Sequence, residues 1–381
     1  MKLLASASLL ATLTLSPLGW ANPVPNPMAP VPEIAGKAYL LTDFYSNQVL
    51  ASRDPNTRVE PASLTKLMTA YLTFKALAEK RLTLEQTLLV SPKGWKTEGS
   101  RMFLDPKVPV SVSDLIRGMI VQSGNDACVT LAEAIAGSEE AFALQMTVEA
   151  KRLGMNNSHF VNATGLPGAN HFTTVHDLGV LAGAIVRDYP AYYPIYSMKE
   201  FRYNNITQPN RNLLLYRDPN VDGMKTGFTD AAGYNLIASA KREGRRVISV
   251  VVGTTSPEAR ATESAKLLSY GLQFFDTPKL YSANKTISTV KVYKGAAAEL
   301  GVGFQQDIFA SVPKGSAQKI QTQMTLNQPL MAPIQVGQVV GKLTMTLEGQ
   351  PLAEQAIVAL APIAEGGFFT RLIDSIKLWF A

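Results

Sequence analysis

The chain has 381 residues, 36 of them Lys or Arg and 30 Asp or Glu, for a formal net charge of +6; it is 46% hydrophobic and holds a single cysteine. This length favours two folded units with a core large enough to need no covalent staples, and the composition is that of an ordinary globular protein. The positive surplus is small and dispersed, with no basic cluster, which excludes a nucleic acid as partner.

The first 21 residues, MKLLASASLLATLTLSPLGWA, hold one lysine, an apolar run and the small-x-small ending Gly19-Trp20-Ala21. They read as a cleaved secretory signal. The competing reading, an uncleaved membrane anchor, needs a span of ~20 apolar residues, and this run is short and contains Ser, Thr and Pro. Cleavage would start the mature chain near Asn22 and lower the charge from +6 to +5 by removing Lys2. Residues 22–33, NPVPNPMAPVPE, read as a Pro-rich tether. Two β-prone runs, AYLLTDF and QVLASR, joined by Tyr45-Ser46-Asn47, predict a hairpin.

The stretch PASLTKLM at 61–68 comes next. Ser63 and Lys66 lie just under one helical turn apart, so hydroxyl and amine emerge on one face within reach of each other. Such a pair is common by itself. The helix from about Leu64 has Leu64, Leu67, Met68, Tyr71 and Leu72 as its buried stripe, beside an exposed start. Residues 113–200 have mostly helical pattern. Within them VQSGNDA forms a small polar turn carrying Ser123-Gly124-Asn125, and NATGLPGANHFTT a long loop. Cys128 sits in an apolar helical run with no histidine nearby in sequence, and reads as a buried small hydrophobe rather than a catalytic thiol.

After Asp222 the pattern returns to β. GMKTGFT starts a strand with Lys225-Thr226-Gly227, and YNLIASAKREGRRVISVVVGT is a second hairpin turning at Arg242-Glu243-Gly244. The helix PEARATESAKLLSYGLQFF ends the unit. Strands open and close it and helices fill its middle, which predicts an α/β (α+β) fold: one antiparallel sheet, helices on its faces and a helical insertion beside it. From about Thr277, alternating runs such as TVKVY, IQTQMTL and GKLTMTL predict a small all-β domain. The expected division is 34–276, 277–364 and a tail at 365–381.

That tail, GGFFTRLIDSIKLWFA, gathers Phe368, Phe369, Leu372, Ile373, Ile376, Trp379 and Phe380 within a sector of roughly 140° at 100° per residue. Lys377, Thr370, Asp374, Arg371 and Ser375 take the other side, and Leu378 is the misfit. A helix of about 14 residues is ~21 Å long, too short for a hydrocarbon core of ~30 Å. It is suited to lie flat at a membrane surface, the alternative being a helix docked on its own protein.

Ser63-x-x-Lys66, Ser123-x-Asn125 and Lys225-Thr226-Gly227 occur in this order at a helix start, an interhelical turn and a strand edge. The trio resembles the signature of penicillin-binding proteins and class A β-lactamases. With stretches such as LIRGMIVQSGNDAC and VDGMKTGFTDAAGYN, the chain is similar over nearly its whole length to D-alanyl-D-alanine carboxypeptidases of the type-5 group of low-molecular-mass penicillin-binding proteins. The resemblance implies a serine β-lactamase/transpeptidase-like domain with a small β domain and an amphipathic tail. It implies a serine carboxypeptidase without cofactor that removes the terminal D-Ala from peptidoglycan stem pentapeptides through an acyl-enzyme on Ser63. β-Lactam antibiotics would acylate the same serine. The protein would be periplasmic, held on the outer leaflet of the inner membrane by its tail; homodimerisation stays open.

A serine hydroxyl is a poor nucleophile, so a base must take its proton, and Lys66 does so only when neutral. Burial and a second cation, for which Lys225 is the candidate, both favour the neutral amine. By resemblance Ser123 relays a proton to the leaving amine, Asn125 holds the peptide amide, and the backbone N–H groups of Ser63 and Phe228 bind the oxyanion. The terminal carboxylate would meet Lys225, Thr226, Arg211 and Arg260 beside Gly227. One departure from the family is Phe228, where His is frequent.

Three competitors are weighed. A class A β-lactamase deacylates with a loop glutamate, but no glutamate occurs between Glu149 and Glu200, and the loop offers Asp177 as its acid. A metal peptidase would use His171, His176 and Asp177, which lack the HExxH-type spacing. A non-enzymatic cell-wall scaffold is disfavoured because every residue of the trio is present.

Overall fold

The structure, a computed structural model, describes residues 29–380. The expected signal segment 1–21 and the first part of the Pro-rich tether lie outside the described residues. β1 (Ala38–Asp43) and β2 (Val49–Arg53) form the first hairpin. A 3-10 turn, Ala62–Thr65, runs into α1 (Lys66–Ala78). Then come α2 (Val112–Val121), α3 (Asn125–Ala136), α4 (Glu139–Arg152) and α5 (Val175–Asp188). The chain returns as β3 (Val221–Thr229), β4 (Gly233–Arg242) and β5 (Arg245–Thr254), and α6 (Pro257–Phe274) follows.

The five strands make one antiparallel sheet in the order β2-β1-β5-β4-β3. Arg242 pairs with Arg245 across the second hairpin, whose two turn residues, Glu243 (φ 52°) and Gly244 (φ 80°), are both left-handed, as a tight primed turn requires. Successive strand residues serve opposite faces. Leu40, Ile237 and Val250 join the core against the helical region, while Leu41, Leu236 and Val251 join that against α6. Ser111, Ser138, Thr174 and Ser256 cap α2, α4, α5 and α6 by accepting the N–H three residues on.

α1 departs from the expected one-sided stripe. Leu64, Leu67, Met68, Tyr71 and Leu72 are buried, but so are Lys66, Thr69 and Thr73. The reason is position: α2, α3, α4 and α5 all pack around it, so its polar start is buried as well.

The C-terminal domain holds β6 (Thr286–Tyr293), β7 (Glu299–Gly303), β8 (Ile320–Leu326), β9 (Leu330–Met331), β10 (Val339–Leu347) and β11 (Gln350–Ala359), in the order β8-β10-β11-β7-β6-β9. Val290, Val292, Leu300, Val302, Leu343, Leu352 and Ile357 are among its core. It docks on the β1–β2 turn. Ser311 N donates to Gln48 Oε1 at 2.5 Å, Thr277 Oγ1 to Asp43 Oδ2 at 2.6 Å, and Arg245 reaches Asp43 Oδ2 at 3.2 Å. Asp43 lies at the Val221 end of the sheet, since Asp43 pairs with Val247, Val247 with Ala240 and Ala240 with Val221. Lys225, Thr226, Gly227 and Phe228 run towards the other end.

α7 (Phe368–Trp379) closes the chain. Its link to the β domain is polar: Lys294 N donates to Asp374 Oδ2 at 2.7 Å and Gly366 N to Lys294 O at 2.8 Å. The apolar face is uncovered, with Phe369 77% and Trp379 85% exposed. Leu378 is less exposed than its neighbours, as is Asp374 one turn earlier, so the residue that misfits the apolar sector belongs to the side facing the β domain. Among the described residues no helix is long and apolar enough to cross a membrane.

Candidate active site

Ser63 sits in the 3-10 turn that precedes α1, at the floor of a cleft of about 550 Å³ between the helical region and the edge strand β3. Two close approaches shape that floor. Ala62 has φ 47°, a left-handed conformation that a residue with a Cβ rarely adopts. Beneath it lies Gly165 (φ 86°), where a Cβ would come within 1.8 Å of the Ala62 carbonyl oxygen. On the other side Gly227 lets β3 approach, since a Cβ there would press on Leu64 and Ala62 at 3.2–3.3 Å.

Lys66 Nζ lies 2.9 Å from Ser63 Oγ and donates to the Thr164 carbonyl at 2.5 Å. The side chain is 1% exposed, and burial is the main reason its amine is pulled down to about 8; Arg211 adds to the effect, while Cys128 and Asp126 oppose it. Lys225 Nζ lies 3.0 Å from Ser123 Oγ and donates to Thr226 O. Burial, Lys66, Arg211 and Arg260 push its amine well below the usual lysine range. The charge of Lys66 is one of those that disfavour the charged form of Lys225. The cation that acts on Lys66 is Arg211, whereas Lys225, the one expected from the sequence, is itself lowered by Lys66.

Ser123 holds φ 66° at the turn before α3, which aims its hydroxyl at Lys225. Asn125 donates from Nδ2 to Glu98 O at 2.5 Å, and its buried Oδ1 has no partner. Arg211 bonds Ser100 Oγ at 2.6 Å from the cleft rim. Arg260 is 6% exposed, touches Gly227 O at 3.3 Å, and is lowered to about 10 by burial and by Arg211, so it stays charged at neutral pH. Neither arginine nor either lysine forms an ion pair with an acid among the described residues. Among the described residues no carboxylate lines the cleft. Phe228 stacks on Tyr234, its cross-strand partner, with ring centroids 4.2 Å apart.

The structure therefore brings Ser63, Ser123, Asn125, Thr226, Gly227, Phe228, Arg211 and Arg260 to one cleft, with Lys66 and Lys225 buried behind it. The residues weighed as metal ligands are engaged elsewhere. His171 Nε2 bonds Thr65 Oγ1 at 2.9 Å, His176 lies on Asp177, and Asp177 Oδ2 accepts from Asn157 N and Ser158 Oγ, fixing where the loop starts. Cys128 is fully buried, and burial pushes its thiol up to about 12, far from thiolate chemistry. The sequence reading missed Thr164 and Gly165, and weighed His171 only as a metal ligand. A usable signal existed for the first two: Asn162 with Thr and Gly two and three residues on marks an Asx turn, and Asn162 Oδ1 does accept from both Thr164 N and Gly165 N.

Known proteins are similar to this chain in sequence and fold. A family model described as D-alanyl-D-alanine carboxypeptidase matches residues 26–256, and one described as penicillin-binding protein 5, C-terminal domain, matches residues 275–365. D-alanyl-D-alanine carboxypeptidase DacC of Escherichia coli K12 is 40% identical over 92% of this chain and 89% of its own length. The crystal structure of penicillin-binding protein 5 from Haemophilus influenzae superposes with a TM-score of 0.84 at 39% identity, covering 88% of this chain and all of that one. Penicillin-binding protein D2 of Listeria monocytogenes in its ampicillin-bound form gives 0.60 at 30% identity, over 64% of this chain and all of that one. The fold is thus that of a penicillin-binding protein. Within that class, the chain belongs to the D-alanyl-D-alanine carboxypeptidase family.

Proposed function

We propose that this protein hydrolyses the terminal D-Ala-D-Ala bond of peptidoglycan stem peptides through an ester on Ser63. The observation that carries the reading is the buried Lys66 amine, held at about 8 and 2.9 Å from the Ser63 hydroxyl. Neutral Lys66 takes the Ser63 proton as Oγ attacks the penultimate carbonyl carbon. The oxyanion is received by the Ser63 and Phe228 N–H groups, the latter on an edge strand whose outer side no strand covers. Ser123, 3.0 Å from Lys225, relays the proton that Lys66 took from Ser63 to the leaving nitrogen, so the C–N bond breaks, D-alanine departs and Lys66 is neutral again. Water then adds to the ester with Lys66 again as base, and Ser63 recovers its proton. Asn125 Oδ1 is the free acceptor for a substrate N–H, and the unpaired Arg211 and Arg260 suit the terminal carboxylate.

β-Lactams acylate Ser63 in the same way. With no carboxylate in the cleft wall to activate water, the adduct persists, which disfavours the β-lactamase reading. The chain is exported by its N-terminal signal to the periplasm. It divides at 276/277 and 364/365, and α7 lays its uncovered aromatic face on the outer leaflet of the inner membrane while the β domain acts as a pedestal. The test is release of D-alanine from a pentapeptide, with peptide mapping after benzylpenicillin. Both should point to Ser63 and vanish in Ser63→Ala. An adduct on another side chain, or rapid repeated turnover of nitrocefin, would overturn the reading.

A further inference from the structure

Behind one wall of the catalytic cleft lies a second cavity of about 360 Å³, whose lining includes Trp95, Arg101, Phe103, Asp105, Asp126 and Asn204. The wall is thin. Ser100 and Asn125 line the cleft, whereas the next residue in each case, Arg101 and Asp126, lines this cavity. Consecutive Cα atoms are ~3.8 Å apart, so the two spaces are separated by little more than one thickness of chain.

Phe103 is held outward at a cost. Its φ is 63°, a left-handed conformation rare for a bulky residue, and its side chain is 49% exposed. The buried Asp126 carboxylate is the cause. It accepts the N–H of Met102 at 2.9 and 3.1 Å and that of Leu104 at 3.1 Å, the two neighbours of Phe103. Met102 and Leu104 are themselves buried, so the residue between them is turned into solvent. Trp95 shares the cavity and is 47% exposed. Exposed rings rimmed by Arg101, Asp105 and Asn204 match a pyranose, whose C–H face stacks on aromatic faces while its hydroxyl and acetamido groups bond planar polar side chains.

We propose that this cavity is a subsite for an N-acetylated amino sugar of the glycan strand that carries the stem peptide. The inference rests on the carboxypeptidase reading. Continuity with the cleft selects the occupant, because the sugar is tethered to the very peptide being cut. Four residues separate it from the scissile bond, a reach of at most ~14 Å, and the cavity begins one residue behind the cleft wall. The subsite makes the enzyme prefer stem peptides still attached to glycan over free ones.

The experiment compares D-alanine release from a free pentapeptide and from the same pentapeptide on its N-acetylglucosaminyl-N-acetylmuramyl disaccharide. It uses the wild-type protein, Trp95→Ala and Phe103→Ala, and adds a chitotetraose titration read by tryptophan fluorescence. The disaccharide should lower KM in the wild type, and each variant should lose about tenfold of that advantage with kinetics on the free peptide unchanged. Chitotetraose should bind the wild type and Phe103→Ala should weaken it. Equal preference in all three proteins, or no chitotetraose binding, would overturn the subsite. Equal losses on both substrates would assign the cavity to the peptide instead and also overturn it. No D-alanine from either substrate would strike the parent reading, and chitotetraose would still decide the subsite.

Discussion

Lys66 is buried because α1 is surrounded, and burial holds its amine at about 8. The deprotonated form is the one that accepts the Ser63 proton, so activity must rise with pH and level off above about 8. The kcat/KM profile for D-alanine release should show this single alkaline-rising limb. Arg211 is a cation that lowers the Lys66 amine, so in Arg211→Gln the limb should move to higher pH, separately from any change in KM. Lys66→Arg keeps the charge and cannot lose it, and should drop penicillin acylation by ~10³-fold or more. His171 supports the same turn from behind. Val161 N donates to its Nδ1 at 3.3 Å, so the ring proton is on Nε2 and is given to Thr65 Oγ1 at 2.9 Å. Burial and His159 hold the ring at about 4, neutral across the working range. Glutamine presents an acceptor and a donor in the same way. His171→Gln should therefore retain most activity, whereas His171→Phe should cost ~1–3 kcal/mol in thermal or chemical unfolding and lower kcat. Ser63, Lys66, Ser123, Asn125 and Lys225 were legible because each belongs to a short motif. His171 was not, because its partner lies 106 positions away.

Among elements, the 3-10 turn Ala62–Thr65 depends on the loop that passes under it. Gly165→Ala would drive a methyl into the Ala62 carbonyl, displacing Ser63. A misplacement of ~1 Å costs about 10²-fold, so kcat should fall by at least that much while circular dichroism stays near wild type. Gly137, at the end of α3, makes the control. Its φ is 83° but nothing lies within 4 Å of its would-be Cβ, so Gly137→Ala should cost ~1–2 kcal/mol of stability and leave kcat unchanged. The sequence located both hairpins and the helix following them, since alternation and turn residues are local signals. It placed the buried stripe of α1 and misjudged only its start, which looked exposed. Periodicity reports a preference for one buried face and says nothing of how many neighbours a helix will have.

For the molecule as a whole, the small domain grips the end of the sheet defined by Asp43 and Val221, while the cleft residues of β3 run away from it. Loss of α7 should then be invisible to the chemistry. Deleting residues 366–381 should leave soluble carboxypeptidase activity near wild type and release the protein from membrane vesicles in a flotation assay. Continued flotation with membranes would count against the tail as anchor.

By itself the sequence determined that Ser63 and Lys66 meet, the strand pairs that build the sheet, the all-β character of the last domain and the apolar sector of the tail. Each is a relation between residues close together in the chain, where helical or strand geometry converts spacing into direction. The tertiary structure decided what no spacing encodes: that Lys66 is dry enough to lose its proton, that Arg211 and Arg260 have no acid among the described residues to neutralise them, and that Asp126 turns Phe103 outward. These depend on which atoms surround a group, and dehydration and charge act through space rather than along the chain.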